Sequence, residues 1–237
     1  MTNATLESIA LNIATVRARM VAAAAQAGRD PAGIRLLAVS KAQPVAAIEA
    51  ACEAGQMEYG ENYLQEALPK LDALRRRQEL VWHFIGSLQG NKTRTVAERF
   101  AWVHTVDRER IARRLHEHRP PALPPLNVCI EVRLSDEPNK SGIPPEEAAA
   151  LAQRISAMPR LRLRGLMTIP PPAKDADAQR LPFRRLGKLF DSLNAQGYTL
   201  DTLSMGMSGD FAAAIAEGAT LVRVGTAIFG RRAQEHS

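Results

Sequence analysis

The feature that most limits how this chain can fold is a recurring one. Along 237 residues, eight short apolar runs are each closed by a turn, and all but the last lead into a segment of helical periodicity. The first run begins at Arg35 and ends at Lys41. The others are Met57 to Gly60, Leu80 to Gly86, Trp102 to Val106, Leu126 to Leu134, Leu161 to Ile169, Thr202 to Met207 and Thr220 to Gly225. Helices are expected over Val45 to Ala54, Leu64 to Arg77, Asn91 to Phe100 and Arg108 to His116, the last capped by Asp107. Three more are expected from Pro145 to Met158, Leu181 to Gln196 and Asp210 to Glu217. Short apolar strands in succession with helices are what a closed parallel sheet covered by helices on its outer face needs. Units of roughly 25 to 30 residues suit either a closed (β/α)8 barrel or an open doubly wound sheet. The count of eight, with the last strand free to pair with the first, favours the barrel, read as one domain over residues 1–237.

Ahead of the first strand, Leu6, Ile9, Ile13, Val16 and Met20 recur at spacings of three and four, so an extra amphipathic helix is expected from Thr5 to Ala27, closed by Gly28. No other segment departs from an ordinary globular pattern: 46% of residues are hydrophobic and 24% charged, and no stretch is read as membrane-spanning. The amino terminus has no basic, apolar and small-residue succession of a secretory signal, and two cysteines, Cys52 and Cys129, give neither a disulfide framework nor zinc spacing. A cytoplasmic protein is expected. The net charge of +6 raises the question of nucleic acid, but the basic residues are dispersed and aromatic residues make up only 5%, so no stacking platform is expected.

In a barrel, function gathers at the carboxyl ends of the strands. The polar residues that fall there are Lys41, Asn62, His83, the trio Asn139, Lys140 and Ser141, Ser208 and Thr226, with Arg223 inside the last strand. A lysine delivered by a buried strand can be partly desolvated and become a nucleophile toward a carbonyl; it can equally be a solvated strand end. Gly206, Gly209 and Gly225 lie in two successive loops where backbone amides can approach an anion, although each is also an ordinary turn residue. Arg223, embedded in apolar sequence, needs a dedicated partner. His83, between Trp82 and Phe84, is either a site residue or a core histidine. The segment Gly86 to Lys92 has the look of a nucleotide phosphate loop but lacks its spacing.

Taken together, these motifs resemble those of one family. They are Ala38-Val39-Ser40-Lys41, the run from Tyr59 through Gly60-Glu61-Asn62 to Glu66, Trp82-His83-Phe84-Ile85-Gly86, Lys140-Ser141-Gly142, Arg164-Gly165-Leu166-Met167, the run from Leu203 to Ser208 and the run from Val222 to Gly230. In this order they resemble the YggS/PROSC family of pyridoxal phosphate homeostasis proteins, whose barrel is similar to the amino-terminal domain of alanine racemase. The resemblance implies an alanine racemase N-terminal-domain-like TIM barrel that holds pyridoxal 5'-phosphate as a Schiff base on Lys41. It also implies a phosphate site at Ser208, Gly225 and Thr226, Arg223 facing the pyridine nitrogen, and Asn62, His83 and Met205 lining the cofactor. Ser87 and Gly209 depart from the family pattern.

The expected role is a monomeric, non-catalytic carrier that buffers pyridoxal phosphate or delivers it to pyridoxal-dependent apoenzymes. The alternative is a racemase-like enzyme with Lys41 as base and Tyr63 or His83 as the opposing acid. Similar racemases take that acid from a second, β-rich domain, and a one-sided site does not readily racemise.

Overall fold

The computed structural model describes residues 3–135, 141–173 and 175–230. Strand β1 (Arg35–Val39) shows why the chain closes on itself: it pairs in parallel with β2 (Glu58–Glu61) on one side and with β8 (Leu221–Val224) on the other. Between them run β3 (Val81–Phe84), β4 (Trp102–Val106), β5 (Leu126–Glu131), β6 (Leu161–Met167) and β7 (Thr202–Ser204), each pairing with its neighbours in a closed eight-stranded barrel. The helices are α1 (Asn3–Gln26), α2 (Val45–Glu53), α3 (Leu64–Ala73), α4 (Thr93–Arg99), α5 (Glu109–His118), α6 (Ala148–Ser156), α7 (Ala176–Ala195), α8 (Phe211–Ala216) and α9 (Thr226–Phe229).

Alternation along the strands sorts side chains into two layers. Leu36, Ala38, Trp82, Phe84, Leu203, Met205, Val222 and Val224 belong to the large hydrophobic cluster shared with the helices. Their neighbours Leu37, Ile85 and Leu221 form a small cluster with Val39, while Trp102, Cys129 and Met167 form another, so the barrel interior is split between two apolar patches. The space between them is polar. The guanidinium groups of Arg35 and Arg164 each lie 4.8 Å from the Trp102 ring centroid, at the end where the strands begin.

Three expectations need correction. Asp107 does not cap α5: Arg108 occupies the N-cap in extended conformation, and no side chain caps the helix. Helix α7 starts at Ala176 rather than Leu181, because the Asp175 carboxylate accepts the Ala178 N–H at 2.7 Å and secures a turn ahead of Pro182, which is thereby carried inside the helix. Finally, Glu7–Gln26 of α1 reaches, by length and a mean hydropathy of 1.2, the range of a membrane-crossing helix. Here its apolar stripe of Ile9, Ile13, Val16 and Met20 is buried in the main core against α2, α8 and α9.

Candidate functional site

Lys41 emerges at the end of β1 after a change of side. Val39 faces the barrel interior, Ser40 is fully buried on the opposite side, and Lys41 lines a cleft of about 410 Å³ at the carboxyl ends of the strands. The turn that presents it is closed by the Gln43 N–H donating to Ser40 O at 3.0 Å and contains Ala42 at φ 57°, the one positive-φ non-glycine among the described residues. The same cleft is lined by Asn62, Ile85, Ser208, Gly209, Arg223, Gly225 and Thr226. Six of the eight expected cofactor residues, Lys41, Asn62, Ser208, Arg223, Gly225 and Thr226, therefore share one cavity. Asn62 follows β2, and its loop passes so close to the end of β3 that a Cβ on Gly86 would stand 1.9 Å from Asn62 O. Its side-chain Oδ1 is buried without a partner among the described residues.

Two adjoining loops, after β7 and β8, form another part of the cleft wall. Ser208 Oγ accepts the Ala227 N–H at 3.4 Å, linking the loop after β7 to the start of α9. Asp210 Oδ1 accepts the Met207 N–H at 2.5 Å and closes the first of these loops. Gly206, at φ 91°, has no room for a side chain, since a Cβ would lie 2.6 Å from Ala214 Cβ and 2.9 Å from Phe211 Cα. A Cβ on Gly225 would crowd Val39 O at 3.1 Å, while Gly209 faces open space. Hydroxyls and backbone amides on two adjoining loops make a site for an anion.

Arg223 crosses from β8 into the interior at 4% exposure. Nη1 donates to Ser204 O at 2.6 Å and to Ser204 Oγ at 2.7 Å, and Nη2 donates to Thr168 O at 2.9 Å. A guanidinium carries five N–H donors. Three are engaged by these bonds, and the side chain also lines the cleft. Burial lowers its pKa to about 10, so it is still a cation at neutral pH.

His83 and Met205 stand elsewhere. Met205 is fully buried in the core between strands and helices. His83 lies inside the barrel, stacked on Trp102 with ring centroids 5.2 Å apart. Its Nδ1 is 2.9 Å from His104 Nε2, and His104 Nδ1 is 2.8 Å from Ser204 Oγ. His83 Nε2 lies 3.3 Å from Glu58 Oε2, an electrostatic contact without the alignment of a hydrogen bond. Burial lowers the pKa of His83 against the opposing pull of Glu58, and holds His104 well below the usual histidine value, with His83 and Arg223 adding repulsion. The sequence reading missed His104, whose partner Ser204 is 100 residues away. Tyr63 is exposed, and neither Tyr63 nor His83 is among the residues that line the cleft with Lys41. Ser141 is exposed, 3.3 Å from Ser87 Oγ, whereas Asn139 and Lys140 lie outside the described residues.

Comparison with known proteins gives this geometry a family. Residues 5–233 match the model of the alanine racemase N-terminal domain. The pyridoxal phosphate homeostasis protein of Pseudomonas aeruginosa is 56% identical over 227 residues, covering 96% of this chain and 97% of that protein. The chain belongs to the pyridoxal phosphate homeostasis family. The Escherichia coli (strain K12) protein of the same name is 51% identical over 232 residues, covering 96% and 98% of the two chains. Among solved structures, PipY of Synechococcus elongatus with PLP bound superposes with a TM-score of 0.82 at 36% identity, covering 94% of this chain and all of PipY. The fold is thus the barrel of the alanine racemase N-terminal domain.

Proposed function

We propose that this chain binds pyridoxal phosphate at the barrel mouth and holds it reversibly on Lys41, as a carrier that buffers or delivers the cofactor rather than an enzyme that turns over a substrate. The observation that carries this reading is the convergence of a lysine, a two-loop anion cradle and a buried arginine on one cleft. The residues fit the cofactor. Ser208, Gly225 and Thr226 suit its phosphate, an unused Arg223 N–H suits the single lone pair of its ring nitrogen, and the unpartnered Asn62 Oδ1 is an acceptor awaiting a donor. The PLP-bound relative and the names of the homeostasis proteins support the same ligand.

When bound, pyridoxal phosphate supplies an electrophilic aldehyde on an electron-withdrawing ring. Lys41 is the residue whose neutral amine would hold that aldehyde carbon, with the aldehyde oxygen released as water. Arg223, positively charged and already tied to Ser204 and Thr168, would offer the pyridine nitrogen a hydrogen bond but no proton. The ring would then be a weak electron sink, as suits storage. Delivery to pyridoxal-dependent apoenzymes, a cytoplasmic location in keeping with the free buried Cys52 and Cys129, and a monomeric state in keeping with a barrel that leaves no sheet edge complete the proposal.

The test is direct. Mixed with pyridoxal phosphate, the protein should develop visible imine absorption, and borohydride should fix the added mass on the peptide containing Lys41. A label on another lysine overturns the assignment. Steady-state interconversion of alanine enantiomers at enzyme-like rates, lost in Lys41→Ala, would replace the carrier with the racemase-like reading.

A further inference from the structure

Behind the Lys41 turn, on the helix side of the barrel wall, sits a buried ion pair that the proposed function does not use. Lys70 Nζ of α3 lies 2.8 Å from Glu61 Oε1 of β2, with 8% and 0% of the two side chains exposed. The ammonium also donates to Ser40 O at 2.7 Å, and the Ser40 hydroxyl donates to Glu61 Oε1 at 2.6 Å. Ser40 is thus gripped at both its carbonyl and its hydroxyl. Two residues on, the Ala42 N–H donates to Glu66 Oε2 at 2.8 Å, from the first turn of the same helix.

Stability alone is a poor reason for such a pair. Removing two charges from water costs several kcal/mol per ion, and apolar replacements of similar volume often leave a protein equally stable. Glu61 shows the cost, because burial raises its pKa despite the bonds from Lys70 and Ser40, and its Oε2 has no partner among the described residues. What the pair touches is more telling. Alternation puts Ser40 and Lys41 on opposite sides of the wall, so the group fixing Ser40 from behind fixes the residue facing the cleft. The turn also holds Ala42 at φ 57°, a conformation that persists in an alanine only where its surroundings impose it.

We propose that Lys70 and Glu61 are positioning residues for Lys41: their buried pair, with Glu66, clamps the Ser40 to Gln43 turn and so aims the Lys41 amine into the cleft. The assignment of a role to that aim rests on the function proposed above. Neither residue touches the cofactor cleft.

The test uses the full chain carrying Lys70→Met with Glu61→Leu, which removes both charges together, and Ser40→Ala, which removes only the hydroxyl contact. Two quantities are read under conditions where each variant is fully folded by thermal melting: hydrogen exchange of the 40–43 segment without cofactor, and the rate of imine formation with pyridoxal phosphate. The expected result is faster exchange confined to residues 40–43 and imine formation slowed by about tenfold or more in the double variant, since small misplacements of a reacting group carry penalties of that size. Ser40→Ala should show the same pattern more weakly, and alone decides the matter if the double variant does not fold. Wild-type rates in a folded variant, or exchange that rises evenly across the barrel, overturn the proposal. If the wild-type protein forms no imine on Lys41 the functional reading falls, and the exchange measurement still decides whether the clamp exists.

Discussion

His104 Nδ1 and Ser204 Oγ lie 2.8 Å apart at the centre of the barrel, and this contact lets a single proton arrangement run from Arg223 to Glu58. Arg223 donates to Ser204 Oγ, the Ser204 hydroxyl donates to His104 Nδ1, and His104 Nε2–H donates to His83 Nδ1. The remaining proton of His83 then lies on Nε2, beside the Glu58 carboxylate. In the opposite arrangement, a bare imidazole nitrogen would face that carboxylate. Both histidines are therefore neutral Nε2–H tautomers, spanning the interior between a cation and an anion.

Neutral buried histidines make the fold sensitive to acid. The pKa of His104 is depressed in the folded state, so below about pH 6.5 the unfolded chain binds a proton that the folded chain does not, and stability falls with pH. Glutamine at 104 takes up no proton. The stability advantage of wild type over His104→Gln should shrink by up to about 1.4 kcal/mol per pH unit below 6.5. Urea denaturation of both proteins at pH 7.5, 6.5 and 5.5 measures this, and a constant difference would show that His104 is protonated in the fold.

Glu131 carries the opposite sign. Burial, reinforced by Asp107 and opposed by Arg223, raises its pKa to about 7, so the folded chain holds a proton there that the unfolded chain has already lost. Its ionisation above pH 7 costs on the order of 3 kcal/mol. Glu131→Gln should accordingly raise the melting temperature at pH 8 and leave it nearly unchanged at pH 5. An equal shift at both values would mean that the Glu131 pKa is not raised in the fold.

A third prediction concerns the anion cradle. Gly206→Ala places a methyl 2.6 Å from Ala214 Cβ at φ 91°. Strain and overlap together should cost roughly 2 to 4 kcal/mol and displace α8 from β7. Thermal melting should show the loss, and inorganic phosphate should compete less well for the cleft. A protein of unchanged stability would place the methyl in space that the wild-type packing does not reveal.

These positions show how much of the molecule is legible along the chain. The eight strands are, because each is a short run rich in apolar residues closed by a turn, and Lys41, Asn62, Ser208, Arg223 and Thr226, with Gly225, follow as the residues left at or near the strand ends. The interior is not. His83 and Met205 differ only in which way alternation turns them, and that depends on the register of each strand: Gly60 opposite His83 sends the ring inward, while Met205 falls on the helix side. The partners Lys70 and Glu61 are nine residues apart across a strand and a helix, so no single periodicity brings them together. Helix α7 is legible except for its first turn, since only the side-chain cap at Asp175 sets its start at Ala176 rather than Leu181.

The longest sequence separation at the site supplies the last prediction. Asn12 Nδ2 of α1 donates to Ile228 O at 2.8 Å, joining residues 216 apart. Ile228 lies in α9, the short helix whose first residue is Thr226 and whose Ala227 N–H meets Ser208 Oγ. The amino-terminal helix therefore anchors the outer end of the element that carries half of the anion cradle. Asn12→Ala removes one half-buried hydrogen bond, worth about 1 kcal/mol of stability. Its effect on phosphate should be disproportionate, because α9 has only four residues, and losing one of its tertiary bonds lets the Thr226 and Ala227 amides shift relative to Ser208. Pyridoxal phosphate should bind more weakly to the variant, whereas pyridoxal without its phosphate should bind as it does to wild type. Equal weakening for both compounds would mean that α1 steadies the whole cleft rather than the cradle alone.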